Sequence, residues 1–238
     1  MRSASKAGLR KSAGRAPEKR NTEIEVKLRI GDERRLLRQL ARLKAKLTRA
    51  RVHEMNTLYD TPDGSLARHG RLLRLRVERP AARAGAAGKA PKISGDKSKT
   101  SAVLTFKGPA KRARTDRPEP YKIREEHEVR ISNHEAMPRI LEALGVRPWF
   151  RYEKFRSTFE LPRMRGLHLS LDETPIGLFL EVEGERREID RAARRLGFAT
   201  SDYINKSYGA LFAEVGGSAV SQNEPVPFSG VPDMLFPR

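Results

Sequence analysis

The chain has 238 residues, with 49 Lys and Arg against 30 Asp and Glu, a formal charge of +19, and 37% hydrophobic residues. It contains no cysteine, which excludes a disulfide scaffold. No apolar run approaches the roughly 18 residues a spanning helix needs, and the start, MRSASKAGLRKSAGRAPEKR, lacks the apolar stretch of a secretory signal; the expectation is a soluble cytoplasmic protein with no membrane partner.

In chain order, residues 1–20 carry a net +6 and no apolar periodicity, and are read as a disordered basic extension. Thr22–Ile30 alternates Glu23, Glu25, Lys27 and Arg29 with Ile24, Val26, Leu28 and Ile30, a period-2 strand. Asp32 then offers an N-cap for a helix reaching about Lys46, striped by Leu36, Leu37, Leu40 and Leu43. A second strand is expected over Val52–Tyr59, ending in the turn Asp60-Thr-Pro-Asp-Gly64. Arg71–Arg79 sets Arg74, Arg76 and Glu78 opposite Leu73, Leu75 and Val77. The next stretch, near 80–99, is basic and rich in Ala, Gly and Lys, and reads as a flexible loop, as does 109–120.

Between them, Thr100–Lys107 is a fourth strand stopped by Gly108-Pro109. Tyr121–Ile131 places Arg124, Glu126, Glu128 and Arg130 on one face. A short helix follows from about Glu135 to Leu144, capped by Asn133 and stopped by Gly145. Trp149–Leu161 alternates Lys154, Arg156, Thr158 and Glu160 with apolar neighbours. Leu167–Asp172 and Leu178–Glu185 repeat the pattern, with His168, Ser170 and Asp172 on one and Phe179, Glu181 and Glu183 on the other. Helices are expected over Glu188–Leu196 and Tyr203–Glu214, and 215–238 is a tail. The order is not the strand–helix alternation of a parallel sheet, so an antiparallel sheet with helices outside it fits better.

Strand after strand thus carries a face of charges of both signs. If the sheet closes on itself with helices outside, those faces line an interior. Such an interior cannot be dry, because unpaired buried charge is too costly. It is a wet cavity whose Lys and Arg suit a polyanion and whose carboxylates suit a hard divalent cation. The five histidines have no metal-ligand spacing, and no GxxxxGK[ST] phosphate loop is present. Trp149 and Phe150 read as packing residues rather than a nucleobase platform.

Glu23-Ile-Glu25-Val-Lys27 resembles the ExExK signature of the CYTH, or triphosphate tunnel metalloenzyme, superfamily, whose members include class IV adenylyl cyclases, thiamine triphosphatases and inorganic triphosphatases. Leu72-Leu-Arg74-Leu-Arg76, Leu104-Thr-Phe-Lys107, Arg124-Glu-Glu126-His-Glu128, Lys154-Phe-Arg156, Leu171-Asp172 and Glu181-Val-Glu183 follow in the family's order, from about Thr22 to Phe212. The resemblance implies an α+β protein built as a closed eight-stranded antiparallel barrel, a tunnel, within a domain at 21–214. It implies that Lys27, Arg74, Arg76, Lys107, Lys154, Arg156 and Lys206 bind substrate. Glu23, Glu25, Asp172, Glu181 and Glu183 would form the metal site for Mg²⁺ or Mn²⁺, with Glu126 and Glu128 as supporting acids and Lys27, Glu23 and Glu25 as the catalytic set.

The expected activity is metal-dependent hydrolysis of a triphosphate: tripolyphosphate, ATP or another nucleoside triphosphate, or thiamine triphosphate. The cation would acidify a water for attack at the terminal phosphorus, while Lys and Arg stabilise the transferring group. One alternative is a class IV-like adenylyl cyclase, in which the ribose 3′-hydroxyl attacks the α-phosphorus. The other is a non-catalytic polyphosphate or nucleic-acid binder, with nucleic acid held only loosely by the basic extension. The residues leave open the choice of substrate and metal, and the oligomeric state. Deleting residues 1–20 is expected to leave the melting temperature and turnover of tripolyphosphate unchanged, because the segment has too little apolar content to dock on a core; a drop of several degrees in a thermal melt would refute that reading.

Overall fold

A computed structural model describes residues 22–81, 100–111 and 119–216. The expectations for the 1–20 extension, nearly all of the 80–99 loop, the middle of the 109–120 loop and nearly all of the tail lie outside them. The strands are β1 (Thr22–Ile30), β2 (Lys46–Asp60), β3 (Leu72–Pro80), β4 (Ser101–Lys107), β5 (Lys122–Arg130), β6 (Arg147–Glu160), β7 (His168–Thr174) and β8 (Gly177–Glu183). The helices are α1 (Glu33–Arg42), α2 (Ser65–Arg68), α3 (Met137–Ala143), α4 (Arg186–Arg195) and α5 (Tyr208–Gly216). All strand pairs are antiparallel, and the order β1-β5-β4-β3-β2-β6-β7-β8 closes on itself as a barrel.

The alternation of β1 explains why the barrel is inside-out. Val26 and Leu28, on one face, pack with Leu169, Leu171, Leu180 and Val182 of the neighbouring strands under α1 and α4. Leu36 and Leu40 of α1 and Ile189, Ala192 and Ala193 of α4 close this cluster from outside. A smaller outer patch sets Leu141 of α3 on Tyr59 and Leu75. The main core therefore lies between wall and helices, and the opposite, charged strand faces are left to the interior.

One end of that interior is closed. Ile204 exchanges both backbone hydrogen bonds with Lys27, at 3.0 and 2.9 Å, and so lines up along the free edge of β1. The chain then enters α5, whose Tyr208, Leu211 and Phe212 pack on Leu58, Phe150, Tyr152 and Phe179. Those four share the inward alternation of Glu54, Lys154 and Glu181 on their strands, so α5 stoppers the barrel with aromatic rings. Asp190 of α4 steadies the approach, accepting from the Tyr121 hydroxyl at 2.7 Å and the Tyr203 hydroxyl at 2.9 Å.

Three elements differ from the sequence expectation, each for a local reason. The first helix stops at Arg42, not Lys46, because Lys44 turns the backbone at φ 56° and Lys46 already starts β2. β2 begins six residues before Val52, and register shifts between Leu47 and Arg49 and between Arg49 and Val52 break the alternation that would reveal it. The last helix starts at Tyr208 instead of Tyr203, since Ile204 is held extended by its bridge to Lys27 of β1. The short α2 was not anticipated; the Asp60 carboxylate accepts the N–H groups of Leu66 and Ala67 at 2.8 and 2.9 Å and holds it in place.

Gly184 follows β8 at φ 155°, and a β-carbon there would stand 2.9 Å from the Gly166 carbonyl oxygen, a contact with backbone that cannot yield. Gly184→Ala is expected to destabilise the fold by about 1–3 kcal/mol, whereas Gly31→Ala, with open space around it, should be near neutral. Paired denaturant melts would measure both.

Candidate active site in the barrel lumen

The interior is a cavity of about 290 Å³ lined mostly by charged side chains. Its deepest layer sits against the α5 stopper. Lys154 and Lys27 are both fully buried there, their ammonium groups 4.8 and 5.1 Å from the centre of the Tyr208 ring. Asp172, also fully buried, takes Lys154 at 2.9 Å, the Arg156 guanidinium through two bonds of 2.6 Å, and the Tyr208 hydroxyl at 2.6 Å. Arg156 reaches across to Glu181, and Lys27 ties Glu181 to Glu25 at 3.1 Å each. Burial alone would pull Lys27 down, but Glu181 and Glu25 hold it above the ordinary lysine range. Burial likewise pushes Glu181 up, and Arg156 and Lys27 overcome it, so that the carboxylate stays ionised.

Higher in the lumen the balance shifts toward unsatisfied cations. Arg124 has no carboxylate within salt-bridge distance among the described residues, and the buried Nε groups of Arg74 and Arg124 have no acceptor. Arg74 is 3.9 Å from Glu128, too far for a strong pair, whereas Arg76 has Glu78 3.1 Å from its Nε and Glu128 at 3.6 Å. Lys122 lies beside Glu25 at 3.2 Å, yet burial and then the neighbouring Lys27 lower its pKa to about 7. This part of the wall is over-supplied with positive charge.

At the open mouth the imbalance reverses. Glu23, Glu126 and Glu183 stand around Lys107, which pairs with Glu23 at 2.5 Å and Glu126 at 3.2 Å. Burial, then the charges of Glu23 and Glu126, push the Glu183 carboxyl up to about 7. Carboxylates that repel one another in this way suit a hard divalent cation, and their oxygens are the donors Mg²⁺ or Mn²⁺ prefer. Among the described residues no three acidic or histidine side chains already converge as a metal cluster.

The expected site residues therefore divide. Glu23, Glu25, Lys27, Arg74, Arg76, Lys107, Glu126, Glu128, Arg156, Glu181 and Glu183 all line the one cavity, and Lys154 lies beneath it in the Asp172 pair. Asp172, expected among metal ligands, instead has its oxygens taken by two cations and a phenol. Lys206 is not part of the lumen; it is exposed and pairs with Glu214 at 2.6 Å, because 206 falls on the outer side of the turn into α5. His168 sits at the mouth, exposed, with Glu160 3.7 Å away. Phe150 packs in the stopper as expected, but Trp149, one residue earlier, faces out and is exposed.

Five lumen residues escaped the sequence reading. Glu54 is fully buried, held ionised against burial by Lys154 and Arg156; it lies in the regular part of β2, where Val52, Asn56 and Leu58 share its face and leave no charge alternation to mark it. Arg49 lies in the irregular stretch of β2 and is paired with Glu78. Lys122 begins a strand whose other charges were recognised, so the period-2 rule could have found it. Tyr152 carries no charge but shares the period-2 face of Lys154 and Arg156 on β6, and Tyr208 is placed only by α5.

The CYTH domain model matches residues 21–208. The chain belongs to the CYTH family. Among solved structures, a proposed adenylate cyclase from Vibrio parahaemolyticus has 19% identity and a TM-score of 0.61, covering 81% of this chain and 98% of that one. The PH1819 protein from Pyrococcus horikoshii OT3 has 23% identity and a TM-score of 0.59, covering 81% and 99%. HpAC1 from Hippeastrum, described as an adenylyl cyclase candidate that reveals a dominant triphosphatase activity, has 22% identity and a TM-score of 0.51, covering 81% and 96%. At these identities the likeness is one of fold. No curated protein matches the sequence. Among the described residues no helix is long and apolar enough to cross a membrane.

Asp172→Asn keeps the shape of the deep layer but removes the charge opposite Lys154 and Arg156. Breaking a buried pair from one side costs about 3–5 kcal/mol, so the variant should melt well below the parent. Added tripolyphosphate should recover part of the loss by taking over the freed cations; a melt unchanged by the substitution would remove Asp172 from its organising role.

Proposed function

We propose that this CYTH protein binds a linear triphosphate end-on in the lumen and hydrolyses its terminal phosphoanhydride bond, with inorganic tripolyphosphate as the best-fitting substrate. The observation that carries the reading is the pair of buried guanidinium Nε donors on Arg74 and Arg124 that lack acceptors among the described residues. An unsatisfied buried donor costs about 1–3 kcal/mol, and a phosphate chain offers acceptor oxygens for both, with Arg76, held by Glu78 at 3.1 Å, beside them. Lys27 and Arg156, held charged by Glu181, would receive the leading phosphate beside the stopper.

A compact inorganic anion suits the cavity better than a nucleotide does. Its volume of about 290 Å³ is at the small end for ligand pockets. The aromatic lining residues, Tyr152 and Tyr208, belong to the stopper cluster at the closed end, and among the described residues the rest of the lining is polar or charged except for Leu72. Glu23, Glu126 and Glu183 would hold the divalent cation, which neutralises phosphoryl charge and acidifies water. Arg74, Arg76 and Arg124 would straighten the chain and stabilise charge developing on the bridging and equatorial oxygens.

Incubation with tripolyphosphate and, separately, ATP, each with Mg²⁺ or Mn²⁺, tests the reading. Orthophosphate released fastest from tripolyphosphate is the expected result. Cyclic AMP and pyrophosphate from ATP would instead identify a cyclase, and tight binding without turnover a non-catalytic clamp. Arg124→Ala should weaken tripolyphosphate by about 10- to 150-fold in a calorimetric titration, the equivalent of about 1.5–3 kcal/mol for one charged hydrogen bond. Glu183→Gln should raise the metal concentration needed for half-maximal turnover, while binding in EDTA holds or tightens as repulsion of the anion falls.

A further inference from the structure

Among the described residues, two outer helices carry a large share of the positive charge outside the lumen. Helices α1 and α4, which together cover the main core, hold nine arginines and no lysine in the sequences ERRLLRQLAR and RREIDRAARR. Their buried residues are Leu36 and Leu40 on one and Ile189, Ala192 and Ala193 on the other. At 100° per residue that leaves Arg34, Arg38 and Arg42 in a row on the outer side of α1, and Arg187, Arg191 and Arg195 in a row on the outer side of α4. Each row repeats every four residues, a rise of about 6 Å per step. Like charges at this spacing repel and destabilise a helix, so the arrangement is not one that helix stability selects.

Compensation within the protein is slight. Arg186 pairs with Glu119 and Arg191 with Glu188, at 2.9 and 3.6 Å. The other seven arginines have no ion-pair partner among the described residues. Of the acids on these helices, Asp190 is engaged by the two tyrosine hydroxyls. The two helices are neighbours: a β-carbon at Gly197, just past α4, would stand 3.7 Å from the Arg35 guanidinium of α1. A depression at their shared end is rimmed by Arg42, Lys44, Arg163 and Arg195 with no acid.

We propose that these two arginine rows form a docking surface for the phosphate backbone of a single-stranded nucleic acid, on the outside of the barrel and separate from the lumen. Arginine rather than lysine favours phosphate, through its planar fork of donors. The apolar residues of both helices are consumed by the core, which leaves nothing to insert into a membrane and no apolar anchor for a protein partner. Backbone binding needs neither, being driven by release of counterions. The step of about 6 Å is comparable to that between phosphates of an extended strand, whereas inorganic polyphosphate packs its charges far more densely.

The test uses the full chain and its variant Arg34→Gln/Arg38→Gln/Arg187→Gln/Arg195→Gln, four exposed substitutions remote from the lumen. Circular dichroism and tripolyphosphate turnover should match the parent, showing an intact fold and lumen. Anisotropy of a labelled 20-residue oligouridylate, measured across a salt series, should show at least tenfold weaker binding at moderate salt. The log–log salt slope should be shallower by about 3, at ~0.7 per lost phosphate contact. Equal affinity and slope in a folded variant would overturn the proposal. So would a variant that loses binding to polyglutamate or inorganic polyphosphate but keeps the oligouridylate.

Discussion

The four-way junction at Asp172 is the contact on which the rest of the lumen depends. A carboxylate with no solvent exposure meets an ammonium, a guanidinium and a phenol, and each partner is tied in turn to another strand or to α5. Remove that charge and Lys154 and Arg156 become isolated buried cations, a state that costs several kcal/mol per ion. The carboxylate also fixes where Arg156 points, which sets the Glu181 contact, which in turn holds Lys27. The deep cations are thus aimed before any ligand arrives, and preorganisation of this kind is what makes electrostatic stabilisation effective.

Charge in the lumen is graded along its axis. The closed end is neutralised by paired acids, the middle has guanidinium donors to spare, and the mouth has carboxylates to spare. Under the proposed function, a polyanion entering from solvent would pass the mouth more readily once those carboxylates are screened or hold a cation. The grading would then couple binding of the anion to binding of the metal without any moving part.

Much of this was legible in the sequence because the barrel writes its interior as strict alternation. Glu23, Glu25 and Lys27, or Glu181 and Glu183, can be assigned to one face from spacing alone. The reading failed where the alternation is interrupted or where no charge marks the position. The register shifts of β2 hid Arg49, while Glu54 shares its face with Val52, Asn56 and Leu58 and so shows no alternation of charge; the phenol of Tyr208 enters the site only because α5 folds back onto inward-facing residues of β2, β6 and β8. Lys206 shows the opposite error. A basic residue beside a motif is easily given a role, but a single turn of backbone decides whether it faces the cavity or water.

The seam that closes the barrel joins the beginning of the domain to its end. β1 pairs with β8, and Lys27 exchanges backbone bonds with Ile204, so a strand made first waits for partners made last. Contacts of such long sequence separation form late and slowly. During synthesis the charged face of β1 has water for a partner and its apolar face has no helix α4 to cover it. The lumen is enclosed only by the seam and the α5 stopper, so its charges leave water fully only once those last elements are in place. For this chain the complete cavity requires the complete fold.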